Sequence, residues 1–116
     1  MIQDVKFSSE FCRAFKRLKK RYKSLNEDFK QLFLSLYTEP RQGVDLQNGM
    51  RKVRIAFSSK GKGKRGGGRV IIRLTVSDTC LSFLYIYDKS DMSNVADAFL
   101  DQIIIDMNSG NYSRGL

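Results

Sequence analysis

The sequence predicts an α+β fold: a small antiparallel sheet meander in βααβββα order, with an N-terminal αα-hairpin on one face and a C-terminal helix. Three observations carry this. Apolar residues recur at helical spacing through residues 11–36. They alternate with polar or basic ones through 51–57 and 69–77, the two-residue period of a strand with one buried face. A four-residue spacing returns at 95–107.

Each element follows in order. Ile2 to Phe7 reads as a short strand, because Val5 and Phe7 alternate with Asp4 and Lys6. Ser8 or Ser9 can cap a helix whose apolar stripe is Phe11, Phe15, Leu18 and Tyr22. Ser24 and Glu27 form a capping-box pattern before a second helix carrying Leu25, Phe29, Leu32, Phe33 and Leu36 inward. Pro40 ends it, since the residue before a proline leaves the helical region. Residues 41–50 read as a loop with turn signals at Gly43 and Asn48-Gly49.

From Arg51 to Ser58, Val53, Ile55 and Phe57 share one strand face, and Lys52, Arg54 and Ala56 the other. From Arg69 to Ser77, Val70, Ile72, Leu74 and Val76 oppose Arg69, Ile71, Arg73 and Thr75. Asp78-Thr79 makes a tight turn, and Cys80 to Tyr87, apolar on both faces, suits a central strand. Ser93 or Asn94 caps the last helix, which buries Val95, Phe99, Ile103 and Met107. The helices are expected on the apolar face of the meander, leaving the other face concave and polar.

The 116 residues fit a single domain, 1–116, with 109–116 expected as a flexible tail. Apolar content of 41%, with eight Phe and five Tyr, supports one modest core. No apolar run approaches the ~18 residues of a membrane span, and the first residues lack the apolar segment of a secretory signal. The expected location is therefore the cytoplasm, without a membrane partner. Cys12 and Cys80 stand far apart and read as reduced core cysteines, with no metal site. Absence of histidine excludes Ser-His and Cys-His nucleophile systems.

Net charge is +9, and its distribution says more than its size. Between Leu46 and Ser77 there is no acid, yet nine cations: Arg51, Lys52, Arg54, Lys60, Lys62, Lys64, Arg65, Arg69 and Arg73. Such a window suggests a surface for a polyanion. A second basic block, Arg13 to Lys23, fits a solvated helix face.

The segment GKGKRGGG, residues 61–68, contains a G-x-G-x-x-G match, but a β-branched strand follows where a dinucleotide fold requires a helix. No Lys-Ser or Lys-Thr pair completes a P-loop. No nucleotide cofactor, and no cofactor at all, is expected. A hairpin loop fits better: glycines let backbone approach a ligand, and the cations supply charge, making a mobile tip able to wrap a phosphate chain. Tyr85 and Tyr87 read as core or as a platform for stacked bases, and Asp88 and Asp91 as turn residues.

MRKVRIAFSSKGKGKRGGGRVII together with FLYIYDKSDMSN resembles the RelE/ParE toxin superfamily in its HigB-like branch, over roughly residues 5–108 and most strongly from Arg51 to Asn94. The resemblance implies a toxin of a type II toxin–antitoxin system. It implies a ribosome-dependent mRNA endonuclease (an mRNA interferase) that cuts the codon in the ribosomal A site, inhibiting translation and arresting growth. Implied partners are the ribosome and mRNA, a cognate antitoxin of helix-turn-helix type, and operator DNA only through the antitoxin complex.

RNA carries its own nucleophile, the 2′-OH, so the protein must align the chain, stabilise the phosphorane and move protons. Arg69, which matches the family's arginine before a Val/Ile-Ile pair, is the candidate for transition-state stabilisation. Lys52 and Arg54 are candidate phosphate clamps, and Lys89 the candidate proton donor to the leaving 5′-oxygen. RNA or ribosome contact falls to Lys60, Lys62, Lys64, Arg65, Arg73 and Tyr87. Some relatives carry a tyrosine or histidine near an end of the last helix; SNVADAFLDQ offers neither, which leaves the general base open between Tyr87 and a ribosomal group. A ParE-like gyrase poison and a non-catalytic RNA-binding module are the alternatives.

Overall fold

The computed structural model describes residues 1–61 and 66–116. Its elements are β1 (Asp4–Ser8), α1 (Ser9–Arg21), α2 (Leu25–Thr38), β2 (Val44–Gln47), β3 (Met50–Ile55), a 3-10 turn (Ser58–Lys60), β4 (Gly68–Thr75), β5 (Cys80–Asp88), α3 (Asp97–Asn108) and β6 (Tyr112–Ser113). Among the described residues the strands form one sheet in the order β2-β3-β4-β5-β1-β6. The expected meander is β3-β4-β5, each pair antiparallel. β1 joins it parallel to β5, with Phe7 opposite Phe83.

Two elements were not expected. Val44–Gln47 is a strand, not a loop, and hairpins back onto β3 through the Asn48-Gly49 turn. Tyr112–Ser113 pairs with β1, and Arg114 Nε lies 3.0 Å from Asp4 Oδ1, so the expected tail is tied to the sheet.

Ser8 closes β1 and starts α1. Its hydroxyl accepts from the Phe11 amide at 2.9 Å and donates to the Leu84 carbonyl at 2.6 Å, as a helix cap should satisfy an orphan N–H. The other two expected caps do not form. Ser24 makes no cap bond, because its hydroxyl donates to Asp28 Oδ2 at 2.7 Å and takes the Ser59 amide at 2.8 Å instead. Ala96, not Ser93 or Asn94, precedes α3, which begins later than its apolar spacing suggests.

The sheet carries a core on each face. On one side Phe7, Phe11, Phe15 and Phe29 pack with Phe83 under the α1–α2 hairpin, joined by Val53, Ile55, Val70, Ile72, Leu81 and Ile86. Each large side chain buried here contributes roughly 1.5–3 kcal/mol toward the chain entropy lost on folding. On the other side α3 buries Leu100, Ile103, Ile104 and Met107 against Met50, Ile71, Leu84 and Tyr87. That second face was expected to be concave and polar. Ile71 and Leu84 give it an apolar footing, so α3 covers part of it. Phe99, expected inward, is 40% exposed because the buried stripe of α3 runs through Leu100 and Ile104. Cys80 is buried and Cys12 half-buried, both as free thiols.

A bulge in β5 sets which face each late residue takes. Ile71 pairs with Tyr85 and Ile72 with Phe83, leaving Leu84 as the extra residue. Leu81 and Phe83 face the α1–α2 side. After the bulge Ile86 takes that side, and Tyr87 turns to the α3 side beside Arg69.

Candidate functional site

The polar face left uncovered by α3 lies on β3 and β4. Strand alternation puts Lys52 and Arg54 on the same side of β3, and the register sets Arg54 opposite Arg69, which in turn is opposite Tyr87. Lys52, Arg54 and Arg69 line one open cavity of about 500 Å³, walled on the far side by Gln42, Gly43 and Val44. Gly43 allows the wall: its φ is +80°, and a Cβ there would meet the Lys52 carbonyl oxygen at 2.1 Å. Three of the four residues assigned to chemistry from the sequence are therefore brought together.

Their environments differ. Arg54 is exposed, whereas Arg69 is only 8% exposed, and its Nη1 donates to the Gly68 carbonyl at 2.9 Å. Burial, and then the neighbouring Arg54 charge, press the Arg69 guanidinium below its ordinary value. Guanidinium still keeps its charge at neutral pH. Two like charges on adjoining strands are stabilised by any anion placed between them, and a phosphodiester fits a planar fork. The Lys52 ammonium donates to Asn94 Oδ1 at 3.1 Å, which ties the cavity to the segment leading into α3.

The other assignments fare differently. Lys89 stands just past β5, exposed and outside the cavity lining; its amide donates to the Gly67 carbonyl at 3.1 Å. Arg73 sits at the far end of β4, where it grips the β2–β3 turn through the Asn48 carbonyl at 3.0 Å and Asn48 Oδ1 at 3.2 Å. It is a turn clamp, away from Arg54 and Arg69. Tyr87 is 3% exposed under α3, so its ring has no face to offer a base; burial raises its phenol. Its hydroxyl points at the Ser93 carbonyl, 3.4 Å away. Lys62, Lys64 and Arg65 lie outside the described residues.

Lys60 is the largest correction. Its ammonium is 2.8 Å from Asp88 Oδ1, and Asp88 is fully buried. Asp88, read from sequence as a turn residue, also accepts from the Tyr22 hydroxyl, from Arg21 Nη2 at 3.3 Å, and from the Ser90 amide at 2.9 Å and hydroxyl at 2.7 Å. Burial alone would raise its carboxyl; the bonds from Lys60, Tyr22 and Ser90 outweigh that and hold it well below the carboxylate range. Asp88 in turn raises both Lys60 and Tyr22. A partial signal existed in the sequence: an acid closing a strand that is apolar on both faces borders the core, and a charge buried there must find partners. The cavity wall at residues 42–44 had no comparable signal, because it depends on the unexpected strand β2.

Among the described residues no helix is long and apolar enough to cross a membrane. A family model for the RelE toxin of the RelE/RelB toxin–antitoxin system matches residues 11–105, most of the chain. The fold is also similar to that of a solved structure of an arginine-to-alanine double mutant of E. coli toxin RelE in the free state. The TM-score is 0.56 at 12% sequence identity, covering 92% of this chain and 99% of that one. A likeness at so low an identity speaks for the architecture alone.

Proposed function

Since this chain belongs to the RelE toxin family of toxin–antitoxin systems, we propose that it is a ribosome-dependent endoribonuclease of the HigB-like branch, cutting mRNA in the ribosomal A site. The observation that carries this reading is the joint lining of one open cavity by Lys52, Arg54 and Arg69. A cavity with three cations and no acid in its wall suits a phosphodiester better than a neutral or cationic substrate.

In the proposed reaction the 2′-oxygen of one nucleotide attacks the adjacent phosphorus, and the bond to the 5′-oxygen of the next nucleotide breaks. The products are a 2′,3′-cyclic phosphate and a free 5′-OH. Arg69 holds two non-bridging oxygens as charge builds on the phosphorane, where a fixed donor is worth most. Lys52 and Arg54 fix the flanking phosphate so that attack is in line. Lys89 gives a proton to the departing 5′-oxygen. Of the two candidates for taking the 2′-OH proton, a ribosomal group fits better than Tyr87, which is buried with its hydroxyl on the Ser93 carbonyl. The antitoxin that the family implies is proposed to be of helix-turn-helix type and to carry the toxin to operator DNA, and the site of action is the cytoplasm.

Expression followed by mapping of mRNA 5′ ends tests the reading. Codon-phased cuts confined to translated messages are expected. Intact messages with blocked DNA supercoiling would make the chain a gyrase poison. Intact messages with salt-sensitive RNA binding alone would make it a binding module.

A further inference from the structure

We propose that Asp88 is a positioning residue: its carboxylate clasps the incoming stem of the glycine-rich segment to the strand whose backbone pairs with the outgoing stem, and thereby sets Arg69 for cleavage. The inference rests on the nuclease reading above and goes beyond it, because Asp88 lines no part of the cationic cavity.

Both stems meet at this one residue, the incoming one at its carboxylate and the outgoing one at its backbone. On the incoming side, the 3-10 turn Ser58–Lys60 precedes the segment, and Lys60 ends in the Asp88 carboxylate. On the outgoing side, Gly68 is the register partner of Asp88 and immediately precedes Arg69. The Lys89 amide bonds the Gly67 carbonyl one step further along. The end of α1 joins through Arg21 and Tyr22, and the Tyr22 ring stacks on Phe57, 4.6 Å between centroids, just before the turn.

The turn is held from its other side as well. Asp28 of α2 accepts from the Ser58 amide at 2.9 Å and from the Ser58 hydroxyl, and Ser24 takes the Ser59 amide. Among the described residues Lys60 carries the side-chain link from the turn to the end of β5, so losing it leaves the turn fixed to α2 but loosened from β5, one of the two strands that register Arg69. A buried five-donor carboxylate is an expensive device for a surface turn. It is reasonable where a loop must meet a catalytic strand within a fraction of an ångström.

The test uses full-length protein on programmed ribosomes, comparing wild type with Asp88→Asn, Lys60→Met and the double variant. Single-turnover cleavage is measured against toxin concentration, together with amide hydrogen exchange at Lys60, Gly61 and Lys89 in the free protein. Expected is a roughly 10- to 100-fold fall in the saturating rate for each single variant. Half-saturating concentration should stay within about twofold, the double variant should be no slower than the slower single, and exchange should accelerate at the three amides.

A folded Asp88→Asn protein that cleaves at the wild-type rate would overturn the proposal. So would a Lys60→Met loss confined to affinity and its salt dependence, which marks a direct RNA contact. If wild type itself cuts nothing, the nuclease reading fails and the exchange data decide the clasp alone: acceleration supports it, and unchanged protection overturns it.

Discussion

At the scale of single residues, two arginines facing each other across β3 and β4 sit in unequal surroundings. Arg69 is buried and fixed; Arg54 is exposed and adjustable. Arg69→Ala should lower the cleavage rate about 10²- to 10³-fold, the usual cost of one preorganised charge donor, with a circular dichroism spectrum like wild type. Arg69→Lys should recover little, because an ammonium cannot span two phosphate oxygens. Full growth arrest by either folded variant would remove Arg69 from the site. Arg54→Gln should cost activity yet move the urea midpoint slightly upward, since like charges directly opposite on paired strands repel. A lower midpoint would mean that Arg54 has a stabilising partner. The three cavity cations were legible because alternation alone puts Lys52 and Arg54 on one strand side, and Arg69 opens the next strand. The contacts of Lys60 with Asp88 and of Arg73 with Asn48 were not legible, because charge in a sequence does not reveal which cations the fold itself engages.

At the scale of elements, the start of β4 is packed too closely for any side chain at residue 68. A Cβ on Gly68 would sit 2.4 Å from Phe57 Cζ and 2.6 Å from the Tyr87 carbonyl oxygen. Gly68→Ala should therefore destabilise by about 1–3 kcal/mol, the usual cost of overpacking, read by chemical denaturation. An unchanged midpoint would mean that Phe57 swings aside freely. Helices α1 and α2 and strands β3 and β4 were legible from their period, and β5 from a short run apolar on both faces. Strand β2 was not, because a sheet-edge strand with Val44 exposed has no buried face to advertise. The β5 bulge was equally silent: Leu84 and Tyr85 look alike in a run that is apolar on both sides. That one inserted residue is why Tyr87 lies under α3 and not on the hairpin side.

At the scale of the whole molecule, Asp88 ties stability to pH. Its carboxyl is depressed in the folded state, so its stabilising contribution is complete above the unfolded value near 4 and is lost as pH falls below it. Lys60 and Tyr22 are raised, so their contributions hold below about pH 10 and fade as pH rises beyond it. Urea unfolding should show a plateau between those limits. Asp88→Asn should be clearly less stable than wild type at pH 7, with the gap narrowing toward pH 3; a gap independent of pH would locate its cause in packing. Architecture on this scale was readable except at its margins, where β1 and β6 join, because partners separated by most of the chain leave no local trace. The parallel seat of β1 beside β5 has one last outcome, felt during synthesis. During synthesis β1 must wait until residues 80–83 emerge before it has its parallel neighbour. A nascent chain stopped short of that point lacks Leu81, Phe83, Leu84 and Ile86 and so can close neither core.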